Sequence, residues 1–220
     1  MNKTIFKRLL AYIIDIVIVT IIVSAISLIP KVGSSTKSYQ EYTDKINNIY
    51  EKYQNKEITD EEYNKSLIDL TYKMDKESIT YTITSFACLT LYFVVFQYLN
   101  KGQTIGKKIL KIIVEPNDNN KLTIFSYLIR SLIINNLFAT FINIICVFLL
   151  SKNIYYTVSN GILNIGSIML YASVMCAILR PDGRTLHDVL SKSKVIDINA
   201  KETIEEEKNN KIIEATYEEN

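Results

Sequence analysis

The chain has 220 residues, 48% of them hydrophobic and 22% charged, with 25 Lys or Arg against 23 Asp or Glu and a net charge of +2. So even a balance excludes a strongly basic nucleic-acid-binding domain and a wholly disordered, highly charged chain. The apolar and charged residues are also segregated into separate stretches, which excludes an ordinary soluble globule of the same average composition.

The chain opens MNKTIFKRLLAYIIDIVIVTIIVSAISLIP, and Leu9 to Ile29 reads as a membrane-spanning helix. A span needs about 20 mostly apolar residues to cross a hydrocarbon core of about 30 Å. A cleavable signal peptide would have an apolar core of only about 7–15 residues followed by small residues. The longer run here predicts an uncleaved first span over about 9–30. It carries Arg8 at its start and Asp15 inside it, with Arg8, Tyr12 and Asp15 at i, i+4 and i+7. Fourteen Leu, Ile and Val between Leu9 and Ile29 favour insertion by roughly 0.3–0.6 kcal/mol each, against about 2.5–3.5 kcal/mol for one central Asp. Insertion wins, and the carboxylate needs either a use or a partner.

Residues 31–78 form the longest piece outside the apolar runs, with eight Lys and ten Asp or Glu. Tyr39, Tyr42, Ile46, Ile49, Tyr50 and Tyr53 recur at helical spacing. A second helix follows YQNKEIT, capped by Thr59 or Asp60, with Tyr63, Leu67, Leu70 and Met74 on one face. The pattern predicts an extracytoplasmic helical hairpin, either a spacer whose apolar stripes pack on each other or a surface for a protein partner. A second span is expected over 79–99.

The segment NKGQTIGKKILKIIVEPNDNNKL is too short in its glycine–lysine spacing for a phosphate loop, and no Ser or Thr follows its lysine. It predicts a turn entering a basic amphipathic or strand-like stretch, with Lys107, Lys108 and Lys111 near anionic lipid headgroups. A third span is expected over 131–150, after an amphipathic lead-in, and a fourth over 156–179. Asn136, Thr140 and Asn143 align on the third, and Asn160, Asn164, Ser167 and Tyr171 on the fourth, beside Gly161 and Gly166. After the fourth span, RPDGRTLHDVLSKSKVIDI begins with a turn and continues in a short helical or interfacial element holding His187, the only histidine, and Asp188. An acidic, disordered cytoplasmic tail is expected over 198–220.

Together these readings predict an all-α, polytopic integral membrane bundle of four transmembrane helices. Lys3, Lys7, Arg8, the lysines between the second and third spans, and Arg180, Arg184, Lys192 and Lys194 then lie on one side. The positive-inside rule makes that side cytoplasmic and puts both termini there. Abundant Lys, Asn and Ile hint at a low-GC bacterium, hence a bacterial cytoplasmic membrane. Cys88, Cys146 and Cys176 fall within spans at no metal-ligand spacing, so neither a metal nor a cofactor is expected. No motif of a hydrolase, a metalloprotease or a nucleotide-binding enzyme is present, and an enzyme is not expected.

The pieces KRLLAYIIDIVIV, KGQTIGKKILKIIV and RPDGRTLHDVLSKSKVI, in this order, resemble the RDD family of membrane proteins, named for an arginine and two aspartates. The likeness covers residues 1–197 and implies a membrane domain. It places Arg8 and Asp15 in the family pattern, with Asp188 or Asp182 as the second aspartate. Gly102, Thr104, Gly106 and Lys107 carry the central turn, and Arg184, His187 and Asp188 the last piece. Some members of that family are connected with sodium–proton antiport, so the resemblance makes monovalent cation or proton exchange conceivable. Asp15 would bind cation and proton in turn, with Asn136, Thr140, Asn160 and Asn164 as neutral oxygen ligands, in a homo-oligomer because four spans are few. The alternative is a non-transporting module, held by Arg8, Asp15, Arg130 and Asp188, that binds a partner protein through 31–78 or its cytoplasmic face. No nucleic-acid partner is expected.

Overall fold

A computed structural model of the chain describes residues 3–118 and 121–200. The acidic tail expected at 198–220 therefore lies, from Lys201 onward, outside the described residues. The described part is mostly helical. Three helices are long and apolar enough to cross a membrane: α1 (Lys3–Ile26), α4 (Ile79–Leu99) and α8 (Lys152–Leu179). Many of their apolar side chains are exposed, among them Ile21, Leu91 and Ile168, as suits helices whose solvent is lipid. The helix α1 stops short of the expected 9–30 span. Ile29 is extended at ψ 125° before Pro30, which opens the next helix at its first position, because proline disfavours a helical residue before it.

The third expected span, 131–150, is not one straight helix. Helices α6 (Ile124–Ile134) and α7 (Leu137–Leu149) meet at a bend of 76°, so they count as a fourth span only if the bent pair crosses as one. The break falls at Asn136, whose backbone is left-handed at φ 51°. Asparagine tolerates that conformation better than the apolar residues around it.

Between the spans lie α2 (Pro30–Gln54), α3 (Asp60–Glu77) and α5 (Ile105–Ile109), and after the last of them comes α9 (Leu186–Leu190). A two-stranded ribbon adds to the helical plan: β1 (Ile112–Pro116) runs antiparallel to β2 (Ser193–Asp197), with Val114 opposite Val195. The strand-like stretch after Lys111 is therefore a strand, and its partner comes from beyond the last span.

The chain forms two compact units. The first comprises the described residues up to Val17, Tyr92–Arg130 and those from Ser173 on. Its apolar centre is Val94, Val114 and Tyr127, with Leu122, Leu128 and Val195 packed against them. The second comprises Ile18–Leu91 and Ser131–Ala172. There α2 and α3 pack on each other along their lengths. Thr59 caps α3 in a reciprocal capping box with Glu62, and the Tyr53 and Tyr63 rings stack at 4.4 Å. The Tyr155 hydroxyl donates to Asp75 at 2.7 Å and Lys152 pairs with Asp69 at 2.9 Å, which ties α3 to the first turn of α8. Burial raises the Asp75 carboxyl above its ordinary range, and the Tyr155 hydrogen bond opposes that.

Candidate functional site

The buried charges of the first unit form two clusters. The first is built on Asp15, which is fully buried. Its Oδ1 accepts from the Tyr92 hydroxyl and from the Gly106 amide, both at 2.7 Å, and its Oδ2 accepts from the Thr104 hydroxyl at 2.5 Å. The Tyr92 oxygen in turn accepts from the Ile105 amide at 3.2 Å, and Thr104 Oγ1 accepts from the Lys107 amide at 3.4 Å. The three amides at the start of α5, which no helical carbonyl can satisfy, are thus all satisfied here. Asp15 answers its own puzzle: it acts as an anionic cap, supplied by α1, for a turn 90 residues away, and negative charge is favoured at that helix end.

Two glycines make the approach feasible. Gly106 packs so closely on α1 that a Cβ would collide with the Ala11 carbonyl and lie 2.8 Å from Asp15 Oδ1. Gly102 adopts φ 92°, a conformation glycine alone takes easily, and its carbonyl accepts from Gln97 Nε2 at 3.1 Å. Tyr92 reaches Asp15 from a six-residue π-helical turn, Leu91–Phe96. Such turns shift the register of a helix and re-aim one side chain.

The second cluster is built on Asp188, also fully buried. Its two oxygens pair separately with Arg8 and Arg130. Arg8 also donates to the Gly183 carbonyl at 3.0 Å, and Arg130 to Ser193 Oγ at 2.5 Å. Asp188 closes a capping box with Thr185 at the start of α9. Although burial opposes its charge, Arg130 and Arg8 hold the Asp188 carboxyl well below the ordinary range. Asp182 is instead exposed, bound by Arg180 and Arg184. His187 is buried between the Ser173 and Thr185 hydroxyls, each at 2.8 Å. Burial first, then the Arg130 charge, push its pKa well below the usual value. Lys107, part-buried with its Nζ 3.3 Å from Thr104 Oγ1, is lowered to about 8 by burial, which the Asp15 charge opposes.

Of the residues singled out from the sequence, Asp15, Thr104, Gly106 and Lys107 come together, as do Arg8 and Asp188. Arg130 joins Asp188, not Asp15. Arg184 serves Asp182. The suggested neutral ligands Asn136, Thr140, Asn160 and Asn164 all belong to the second unit. There the Thr140 hydroxyl donates to the Asn136 carbonyl at 3.3 Å, and Asn164 is exposed. Sequence reasoning did not assign Tyr92, Ser173, Thr185 or Ser193 to the site. Only Thr185 left a trace, as the Thr-x-x-Asp of a capping box. Among the described residues, no group of three or more His, Cys, Asp or Glu is placed to hold a metal ion.

Several long apolar helices, with a buried Arg–Asp–Arg cluster in the first unit, define a multi-pass membrane protein. The chain belongs to the RDD family, whose model matches residues 3–192. No curated protein and no solved structure matches it.

Proposed function

We propose that the protein is a non-catalytic, non-transporting membrane module whose internal charges lock a juxtamembrane fold onto its first span. The observation that carries this reading is the Asp15 carboxylate, whose two oxygens are taken by three donors from residues 92–106. A carboxylate that cycled between cation and proton would have to surrender those donors in each turnover. In this reading the bent pair α6–α7 is the third of four spans, and both termini face the cytoplasm of a bacterial cell. The packed helices α2 and α3 lie outside, forming the surface for a partner protein. The bilayer and that partner are its ligands, with no cofactor.

A second reading, monovalent cation–proton exchange, draws on Lys107. An amine that loses its proton near pH 8 stands in the electrostatic reach of Asp15 and would give the site a proton to exchange. Proton movement driven by sodium or potassium gradients in proteoliposomes decides between the two, with wild type compared to Asp15→Asn. The module reading expects no flux in either protein at equal folded content. Flux in the wild type that vanishes in the variant would replace it with the exchanger.

A further inference from the structure

Helix α8 has two faces of different kinds. Tyr155, Ser159 and Gly166 are buried and lie on one side of it. About half a turn round, by the 100° step of an α-helix, lie Gly161, Asn164, Ile168 and Tyr171. All four are exposed, Tyr171 by 71%. Asn164 is the residue that needs an explanation. It sits near the midpoint of a 28-residue apolar helix, at the depth where hydrocarbon satisfies no polar group. Two other exposed polar side chains of α8 bond back to their own helix: Thr157 donates to the Asn153 carbonyl at 3.1 Å and Ser167 to the Leu163 carbonyl at 3.0 Å. The Asn164 amide makes no hydrogen bond to any described residue. Beside it, a methyl built on Gly161 would meet nothing within 4 Å, so the backbone is open to close approach.

We propose that this face of α8 is covered by α8 of a second copy of the chain, with the two Asn164 amides hydrogen-bonded to each other. The commitment to a second copy follows from symmetry. Copies inserted with the same topology meet as parallel helices about an axis normal to the membrane, so each position on the shared face meets itself. Asparagine facing asparagine is self-complementary, because each amide supplies both donors and an acceptor. Gly161 lets the backbones draw near enough for the amides to reach, as small residues do in membrane helix pairs. Ile168 and Tyr171 then close over the contact.

Oxidative cross-linking of the full chain in native membranes tests this, in a background with Cys88, Cys146 and Cys176 replaced by Ala. Ile168→Cys, on the proposed face, gives a covalent dimer, while Leu170→Cys, exposed on another side of the helix, does not. Sedimentation equilibrium in detergent, with the native cysteines kept, supplies the second measurement. There Asn164→Leu weakens self-association by roughly 5–30-fold, the worth of one interhelical amide contact, and Asn164→Gln restores part of it. Leucine makes α8 more apolar, so insertion is not impaired. Equal cross-linking at both positions, a monomeric wild type, or an unchanged dissociation constant in Asn164→Leu would overturn the proposal.

Discussion

Arg8 and the buried Asp188, 180 positions apart in the chain, form a part-buried ion pair that joins the start of the first helix to the short helix α9. Arg130 occupies the other oxygen of the same carboxylate. One aspartate therefore compensates two guanidinium groups inside the first unit, and Ser193 and the Gly183 carbonyl take further donors. The worth of such a cluster lies less in net attraction than in what its disruption exposes.

Asp188→Asn leaves both arginines without their counter-charge in a buried site. The expected loss is about 3–5 kcal/mol, read as a fall in the thermal unfolding midpoint of the detergent-solubilised protein. Asp182→Asn, which affects only an exposed group flanked by Arg180 and Arg184, should leave the midpoint close to that of the wild type. Equal effects would show that the pairing of Arg8 with Asp188 does not hold the unit.

The Asp15 cap invites a similar dissection. Thr104→Val and Tyr92→Phe each remove one hydrogen bond to a carboxylate, a loss of roughly 1.5–3 kcal/mol apiece. Tyr92→Phe also strands the Ile105 amide. In an Asp15→Asn background each should cost clearly less, because the residues share one network. Strict additivity in the double variants would mean that Asp15 is not the hub.

Much of the plan was legible from residue pattern, and what was missed has physical causes. The α2 and α3 helices, the Thr59 cap and the apolar spans all show themselves through spacing of about 3.6 residues and local capping chemistry. The pairing of Arg8 with Asp188 leaves no local trace, since a contact across 180 positions depends on tertiary closure alone. Of the four charges expected to hold the module, Arg130 pairs with Asp188, which leaves the Asp15 carboxylate to other groups. The neutral donors Tyr92 and Thr104 take it. The bend at Asn136 was hidden because an asparagine inside an apolar run reads equally well as glue between helices. Its left-handed backbone is visible only in three dimensions.

Lys107 should give the protein an unusual response to alkali. Its folded pKa is lowered to about 8, while an unfolded lysine titrates near 10.4. Between these values the unfolded chain binds more protons than the folded one, so stability rises with pH across that window. Thermal unfolding midpoints of the wild type and Lys107→Met, compared at pH 7.5 and 10, should converge or cross in favour of the wild type as pH rises. A difference independent of pH would show that the amine is not buried at a cost.

His187 gives the same sign on the acid side. Its folded pKa lies well below that of an unfolded histidine, which is about 6.5. As pH falls below that value the unfolded state gains a proton that the folded state refuses, and stability is lost. His187→Asn keeps a polar side chain between Ser173 and Thr185 and removes the titration. The wild type should therefore lose more stability than this variant between pH 7 and 5.5. Parallel pH profiles would contradict a histidine held neutral by burial.

Asn136 and Gly166 make the sharpest test of the bent pair. The left-handed backbone at Asn136 predicts that Asn136→Gly is well tolerated and that Asn136→Val, β-branched, costs about 1–2 kcal/mol from the backbone alone. Gly166 lies directly against the Asn136 side chain, and a Cβ there would collide with its Oδ1. Gly166→Ala alone should then destabilise by about 1–3 kcal/mol, as overpacking does. Placed in an Asn136→Gly background, the same substitution meets an empty space and should be nearly neutral. That non-additivity, measured as unfolding midpoints of the two single variants and the double, is the signature of direct contact between α8 and the break. A straight helix through 131–150 would present no left-handed residue, and Asn136→Val would then be as mild as Asn136→Gly.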